Sequence, residues 1–373
     1  MVANRAEDSQ KRYCGILKTI LLILIFIGWP LCIHSQAESY SDAEGERRSL
    51  FVKSRDLLIR YLDSFGYDSI YIRPQQFYYT LMIQQSANFE NYTIRSIDKA
   101  QRIRLAPDNS YKLGAYFGWH GLFLGASVNT SELFSDRNGA NKKAEYFFNL
   151  YGRRLGADLF FRRTGNDFKI RRADGFSQGD EIYNFNGASF SGMKVRSVGA
   201  NVYYVFNNKQ FSYPAAYSQT TVQKVSRGTW VGGISWSHHH LDFDHTHLPV
   251  EIQATLSDDL KFKQVKYMNF NFNFGYAYNW VFAENWLLAV SLTPAIAYKA
   301  SRISIEESVY NKRYNNVTPD LITRAGVVYN NNRFFAGAST VAHVYQYYQK
   351  NFALTDNFGV LNVYAGFNFG RRN

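Results

Sequence analysis

Cysteine is missing from this sequence beyond Cys14 and Cys32. Both lie in an N-terminal export-like region, so the chain that remains after removal of residues 1–37 has no disulfide framework and no thiolate metal site. That absence fits passage through an oxidising envelope compartment. Past the N-terminus there is also no apolar run of the roughly 20 residues that a membrane helix requires, which excludes a helical membrane protein. A Gly-rich phosphate loop, a zinc-hydrolase helix motif and a dinucleotide fingerprint are absent too, and no cofactor is expected. Acidic residues are outnumbered, giving a net charge of +12. The basic residues, among them Arg102, Arg104, Arg153, Arg154, Arg171 and Arg172, are scattered over apparent connections with no motif to focus them. No nucleic-acid partner is expected; a solvated rim that meets anionic headgroups is the plainer reading.

Aromatic residues, by contrast, make up 17% of the chain, and their spacing is regular. Met268, Phe270, Phe272, Phe274, Tyr276, Tyr278 and Trp280 alternate with Asn269, Asn271, Asn273, Gly275, Ala277 and Asn279. After a short break, Trp286, Leu288, Val290, Leu292, Pro294, Ile296 and Tyr298 alternate with small and polar residues. Period two means strands with one apolar and one polar or small face. Rows of seven, with aromatics at the ends of the second, suit an outer face in lipid with girdles at the headgroups. A mean hydropathy of -0.32 is compatible, because alternation hides the apolar content. The fold expected is all-β: an antiparallel transmembrane β-barrel of about twelve strands with a short N-terminal periplasmic helix. A soluble secreted β-protein is the alternative.

Three regions follow. Residues 1–37 read as a signal peptide, with Lys11, Arg12 and Lys18 before the apolar run Ile20 to Trp29 and small residues Ser35 and Ala37 at the cleavage site. Residues 38–75 form a periplasmic segment whose stretch Ser49 to Phe65 has helical periodicity, and 76–373 form the barrel. The predicted strands are 76–86, 110–119, 122–131, 142–151, 155–168, 193–206, 219–238, 265–281, 286–301, 319–330, 333–347 and 358–370. Short and long connections alternate strictly. If the short ones are periplasmic, both termini fall in the periplasm of an outer-membrane protein. Proline is scarce and mostly agrees: Pro107, Pro214 and Pro249 fall in connections, Pro74 and Pro319 at strand starts. Pro294 sits mid-strand and calls for a bulge or for a different strand assignment there.

The segments Tyr67-Asp68-Ser69-Ile70-Tyr71-Ile72, Phe211 through Gln219 and the closing Tyr364-Ala365-Gly366-Phe367-Asn368-Phe369 resemble an uncharacterised, domain-of-unknown-function family of outer-membrane barrels from Bacteroidota. The resemblance covers roughly residues 60 to 370. It implies envelope location and a barrel, and carries no catalytic residues to transfer.

Inward positions of the predicted strands hold Lys112, Glu145, Asp158, Arg162, Asn269, Asn271, Asn273 and Arg324; paired, they make a scaffold, and wet, a narrow porin-like channel. The reading favoured is such a channel or a structural or binding protein without catalysis. A membrane-embedded lipid hydrolase using Ser235 or Ser237 with His239 is the alternative. Residues i and i+2 on one strand are roughly 6 to 7 Å apart, too far for a direct Ser–His bond without help from a neighbouring strand. His238, His240, Asp242, Asp244, His245 and His247 have the chemistry to hold a metal, against a hydrated loop as the simpler account. The partners expected are outer-membrane lipid and lipopolysaccharide, with barrel-assembly machinery during insertion, and the protein is expected to be a monomer.

Overall fold

The computed structural model describes residues 66–97, 100–119, 122–130, 144–176, 185–305, 308–349 and 352–371. The expected signal peptide and the helix over 49–65 lie outside the described residues. Contacts divide the chain into residues 1–64 and a unit Phe65–Asn373; the second contains every element below.

In chain order the strands are β1 (Ile72–Pro74), β2 (Phe77–Ser96), β3 (Arg102–Pro107), β4 (Ser110–Trp119), β5 (Leu122–Asn129), β6 (Ala144–Tyr151), β7 (Leu155–Arg163), β8 (Phe168–Asp174), β9 (Ser189–Phe190), β10 (Met193–Val205), β11 (Thr221–Gln223), β12 (Arg227–Phe243), β13 (Phe262–Ala283), β14 (Trp286–Ile305), β15 (Ser308–Asn330), β16 (Phe334–Tyr348) and β17 (Phe352–Arg371). Among the described residues two short α-helices interrupt them, α1 (Tyr213–Tyr217) and α2 (Val250–Thr255). Fifteen strands form one antiparallel sheet, and β1 and β11 pair separately. The main course follows the chain up and down, and β17 pairs with β2 along almost their whole length. The remaining seam, between β5 and β6, has no backbone ladder among the described residues. Side chains cross it: Asn88 of β2 donates to Glu145 of β6 at 2.6 Å, and the Lys112 ammonium of β4 donates to the Glu145 carbonyl at 2.8 Å. The sheet therefore closes on itself.

All twelve predicted strands have a counterpart, but the sheet has three more. β3, β8 and β9 fall in stretches read as long connections, and β2 runs ten residues past its predicted end, to Ser96. In β3, Arg102 and Arg104 alternate with buried Ile103 and Leu105. Arginine at alternate positions made that stretch read as a loop, although its period is two.

Parity sorts the side chains. In β13 Asn269, Asn273 and Asn279 are at most 1% exposed, whereas Phe270 and Phe272 are 49% and 59% exposed. Ile234 of β12 and Ile296 of β14 behave like the phenylalanines. Amides are inside and hydrocarbon is outside, the inverse of a water-soluble sandwich. Around the tight-turn end, outward aromatics touch in sequence: Trp280 with Phe282, Phe282 with Trp286, Trp286 with Tyr329, Tyr79 with Phe369 and with Phe117.

Pro294 is accommodated without the expected bulge. β13 and β14 keep one register on either side of it, from Asn273 opposite Ala295 to Tyr276 opposite Leu292, and only the intervening pairs are missing. Pro294 still pairs with Leu321 of β15. Gly275 makes this possible: a Cβ there would lie 2.0 Å from the Leu292 carbonyl oxygen and 2.7 Å from the Thr293 Cα. With no side chain at 275 the backbones can close up where proline offers no donor. Gly275→Val is therefore expected to cost about 1–3 kcal/mol, the usual penalty for overpacking, read as a lower urea midpoint for the purified protein, while Ala277→Val should do less damage to the ladder. Equal midpoints for Gly275→Val and the parent would contradict this role of the glycine.

Candidate functional site

Inward-facing residues come in rows, because each ladder pairs like parity with like. One row runs Glu145, Arg162, Ser197, His239, Tyr267 and Ser301 across six strands. Another runs Tyr92, Asp356, Tyr345 and Asp320 on a different stretch of the sheet. Closure brings the two rows face to face. Arg162 reaches Glu90 at 3.2 Å and Asp356 at 3.5 Å, and also donates to the Tyr92 hydroxyl. Its guanidinium lies 3.7 Å from the Phe358 ring centroid. Arg324 pairs with Asp158, whose other hydrogen bond comes from Asn201 at 2.9 Å. Lys299 meets Asp320 at 2.7 Å, and Asn269 donates to the same carboxylate. The side chains of these ion pairs are at most 3% exposed.

All eight sequence-predicted lumen residues face inward. Seven are buried, and Lys112 is half-buried on the seam. The sequence reading missed Glu90, Asp356, Lys299 and Asp320, which complete the pairs. Glu90 and Asp356 fell in presumed connections; Lys299 and Asp320 shared the inward parity of known neighbours, and that parity was the available signal.

The two mouths are filled as well. At the tight-turn end the connection between β10 and β12, where the sequence placed Pro214, folds inside the ring. Ser212 caps α1 by accepting from the Ala215 amide at 3.3 Å, and Pro214 starts the helix. The Tyr213 hydroxyl meets Ser291 of β14 at 2.7 Å, and Gln219 donates to Tyr364 of β17 at 2.7 Å. β1 lies against this plug through β11. At the other end, Ile94, Phe168, Phe190, Leu241, Phe243, Phe262 and Phe352 form an apolar core with Ile252 of α2 and Leu256. Between the plugs, the cavity beside Asp158, Phe160 and His343 measures about 10 Å³, room for about one water.

The Ser–His contact differs from the expectation. Ser237 Oγ lies 3.0 Å from His239 Nε2, because the imidazole folds along the inward face, stacked on Tyr267 at 4.5 Å between centroids. Its Nδ1 lies 3.1 Å from Ser197 Oγ and 3.5 Å from Asp356 Oδ2. Ser235 is not part of the group; its hydroxyl donates to Asn271. Asp356, His239 and Ser237 thus stand in the order of a hydrolytic triad. Yet all three are at most 2% exposed, closed to a substrate from solvent.

Parity also splits the histidine run. His239 points inward, while His238, His240 and Asp242 alternate on the outward column. His240 pairs with Asp242 at 3.0 Å and His247 with Asp244 at 3.2 Å. Hydrogen bonds from Thr246 hold the Asp244 carboxyl below its usual range. Among the described residues no group of three or more His, Cys, Asp or Glu side chains is gathered as metal ligands.

A family profile described as a domain of unknown function (DUF4421) matches residues 66–369. No curated protein matches the chain. Among solved structures, the outer membrane protease OmpT from Escherichia coli shares 6% identity at a TM-score of 0.35, over 81% of this chain and 99% of that one. The translocator domain of the autotransporter NalP from Neisseria meningitidis shares 8% at 0.32, over 90% and 100%. The outer membrane protein OprG from Pseudomonas aeruginosa shares 9% at 0.23, over 80% and 98%. Scores and identities this low transfer neither activity nor ligand.

Removing one member of a buried ion pair strands the other charge, typically at 3–5 kcal/mol. Arg324→Leu and Asp158→Leu should each lower unfolding stability by about that much, and the double variant by less than the sum of the two. Additive losses in urea titration would show that the pair does not act as a unit.

Proposed function

From the premise that this chain belongs to the DUF4421 family, a domain of unknown function, we propose that it is an outer-membrane β-barrel closed by its own side chains. It serves the envelope as a structural or binding protein and is not an open channel. The observation that carries the reading is the filled lumen: paired charges at most 3% exposed, between a helical plug and an apolar core. Water in a pore would leave those groups wet.

The membrane location rests on the outer face. Exposing a large apolar side chain to water forfeits roughly 1.5–3 kcal/mol, and column after column of this sheet does so. Hydrocarbon removes that cost. From Trp286 to Tyr298 the outward row of β14 spans about 40 Å at roughly 3.4 Å per residue, close to 30 Å tall at the usual strand tilt, the scale of a lipid-facing band. Tight turns at the girdled end support a periplasmic side for that end, and with it for both termini.

A lipid hydrolase is the second reading, favoured by the Asp356–His239–Ser237 order alone. It requires the lumen to open, and fluorophosphonate labelling that disappears in Ser237→Ala would support it. Planar-bilayer recording tests the main proposal: the purified protein should add no stable conductance steps at ordinary voltages, whereas uniform porin-sized steps would sink the closed-barrel reading.

A further inference from the structure

Basic residues scattered in the sequence converge on the outward face, beyond the apolar belt at the end opposite the tight turns. Arg95 of β2 stands opposite Arg102 of β3, and Arg104 of β3 opposite Arg172 of β8. Like charges placed directly across a ladder repel. Nearby, Lys169 and Arg171 share Asp108, and Lys261 holds Asp258. Of these four arginines, Arg172 has an acid, donating to Asp174 at 2.8 Å. Arg95, Arg102 and Arg104 are exposed, and among the described residues no hydrogen bond or ion pair engages them. With Gln346 and Tyr348 of β16 the four arginines line a cleft of about 440 Å³.

The height of this cleft identifies its occupant. On β2 the outward column climbs through Tyr79, Leu81 and Ile83 to Phe89, then Asn91, Thr93 and Arg95. The arginines stand past the polar Asn91 and Thr93, on the side of the apolar positions where headgroup phosphates lie. A guanidinium fork matches phosphate oxygens in two hydrogen bonds, and a repelling arginine row is relieved by a dianion.

We propose that this cleft binds the phosphate groups of an anionic lipid of the outer leaflet, whose acyl chains lie along the outward columns of β2 and β17. The proposal rests on the reading of the outer face as lipid-facing. A phosphorylated lipid is favoured over free phosphate because the cleft continues the apolar columns, so headgroup and chains can be held together.

The test uses the full chain in neutral detergent, with native mass spectrometry of added bisphosphorylated lipid A against phosphatidylcholine. The parent should retain lipid A preferentially, and Arg95→Gln/Arg102→Gln/Arg104→Gln should weaken retention roughly 10-fold or more, as for loss of several charge-assisted bonds. Arg333→Gln, remote at the tight-turn end, should retain it as the parent does. Because the triple variant removes mutual repulsion it should fold at least as well, and heat-modifiable gel migration checks this. Ten-millimolar inorganic phosphate should leave most of the lipid bound. Equal retention by parent and triple variant, no preference over phosphatidylcholine, or displacement by inorganic phosphate would overturn the proposal while the detergent-dependent barrel stands. A chain that stays folded and soluble without detergent would overturn both.

Discussion

A strand with different surroundings on its two faces changes the environment of every side chain when its register slips by one residue. In β13 such a slip would drive Phe270, Phe272 and Phe274 against the Arg162 and Arg324 pairs and push Asn269, Asn271 and Asn273 outward. Neither face could accept the exchange. The asparagine column is tied to specific partners, Asn269 to Asp320 and Asn273 to Asn201, and the phenylalanines would meet ionised groups with no hydrogen bond to offer. Parity is thus the constraint from which closure, lumen and outer surface all follow.

The charges inside the ring contribute geometry more than net stability. Buried ion pairs return little beyond their desolvation cost, and apolar replacements are often as stable. Their use here is connective. Arg162 ties β7 to β2 and β17, and Arg324 ties β15 to β7, so a sheet with no ladder between β5 and β6 among the described residues is still held together across its interior. The α1 plug works alike, anchored on β14 through Tyr213 and on β17 through Gln219. A lumen assembled this way can position a surface.

Much of this was legible in sequence because period two survives whatever lies outside the strand. Twelve of the fifteen sheet strands and the outward aromatics follow from counting alone. What stayed hidden depended on three-dimensional neighbours. β3 looked like a loop because its outward residues are arginines that meet nothing apolar. The plug over Phe211 to Gln219 looked like a turn, since nothing local says that Tyr213 and Ala216 point into a lumen. His239 and Ser237 stood too far apart on an ideal strand, until stacking on Tyr267 bent the imidazole toward the serine. The Pro294 reading failed for a related reason: its compensation is Gly275, on another strand.

Hydrocarbon as the neighbour of the outward columns is the condition on which lumen, girdle and cleft depend. With Cys14 and Cys32 replaced by serine, single cysteines at Phe272, Ile296, Asn273 and Asn201 can each carry a bimane label in vesicles containing brominated phospholipid. Strong quenching at 272 and 296, with little at 273 and 201, is the expected result. Equal quenching at all four positions, or none at 272 and 296 in folded protein, would contradict it.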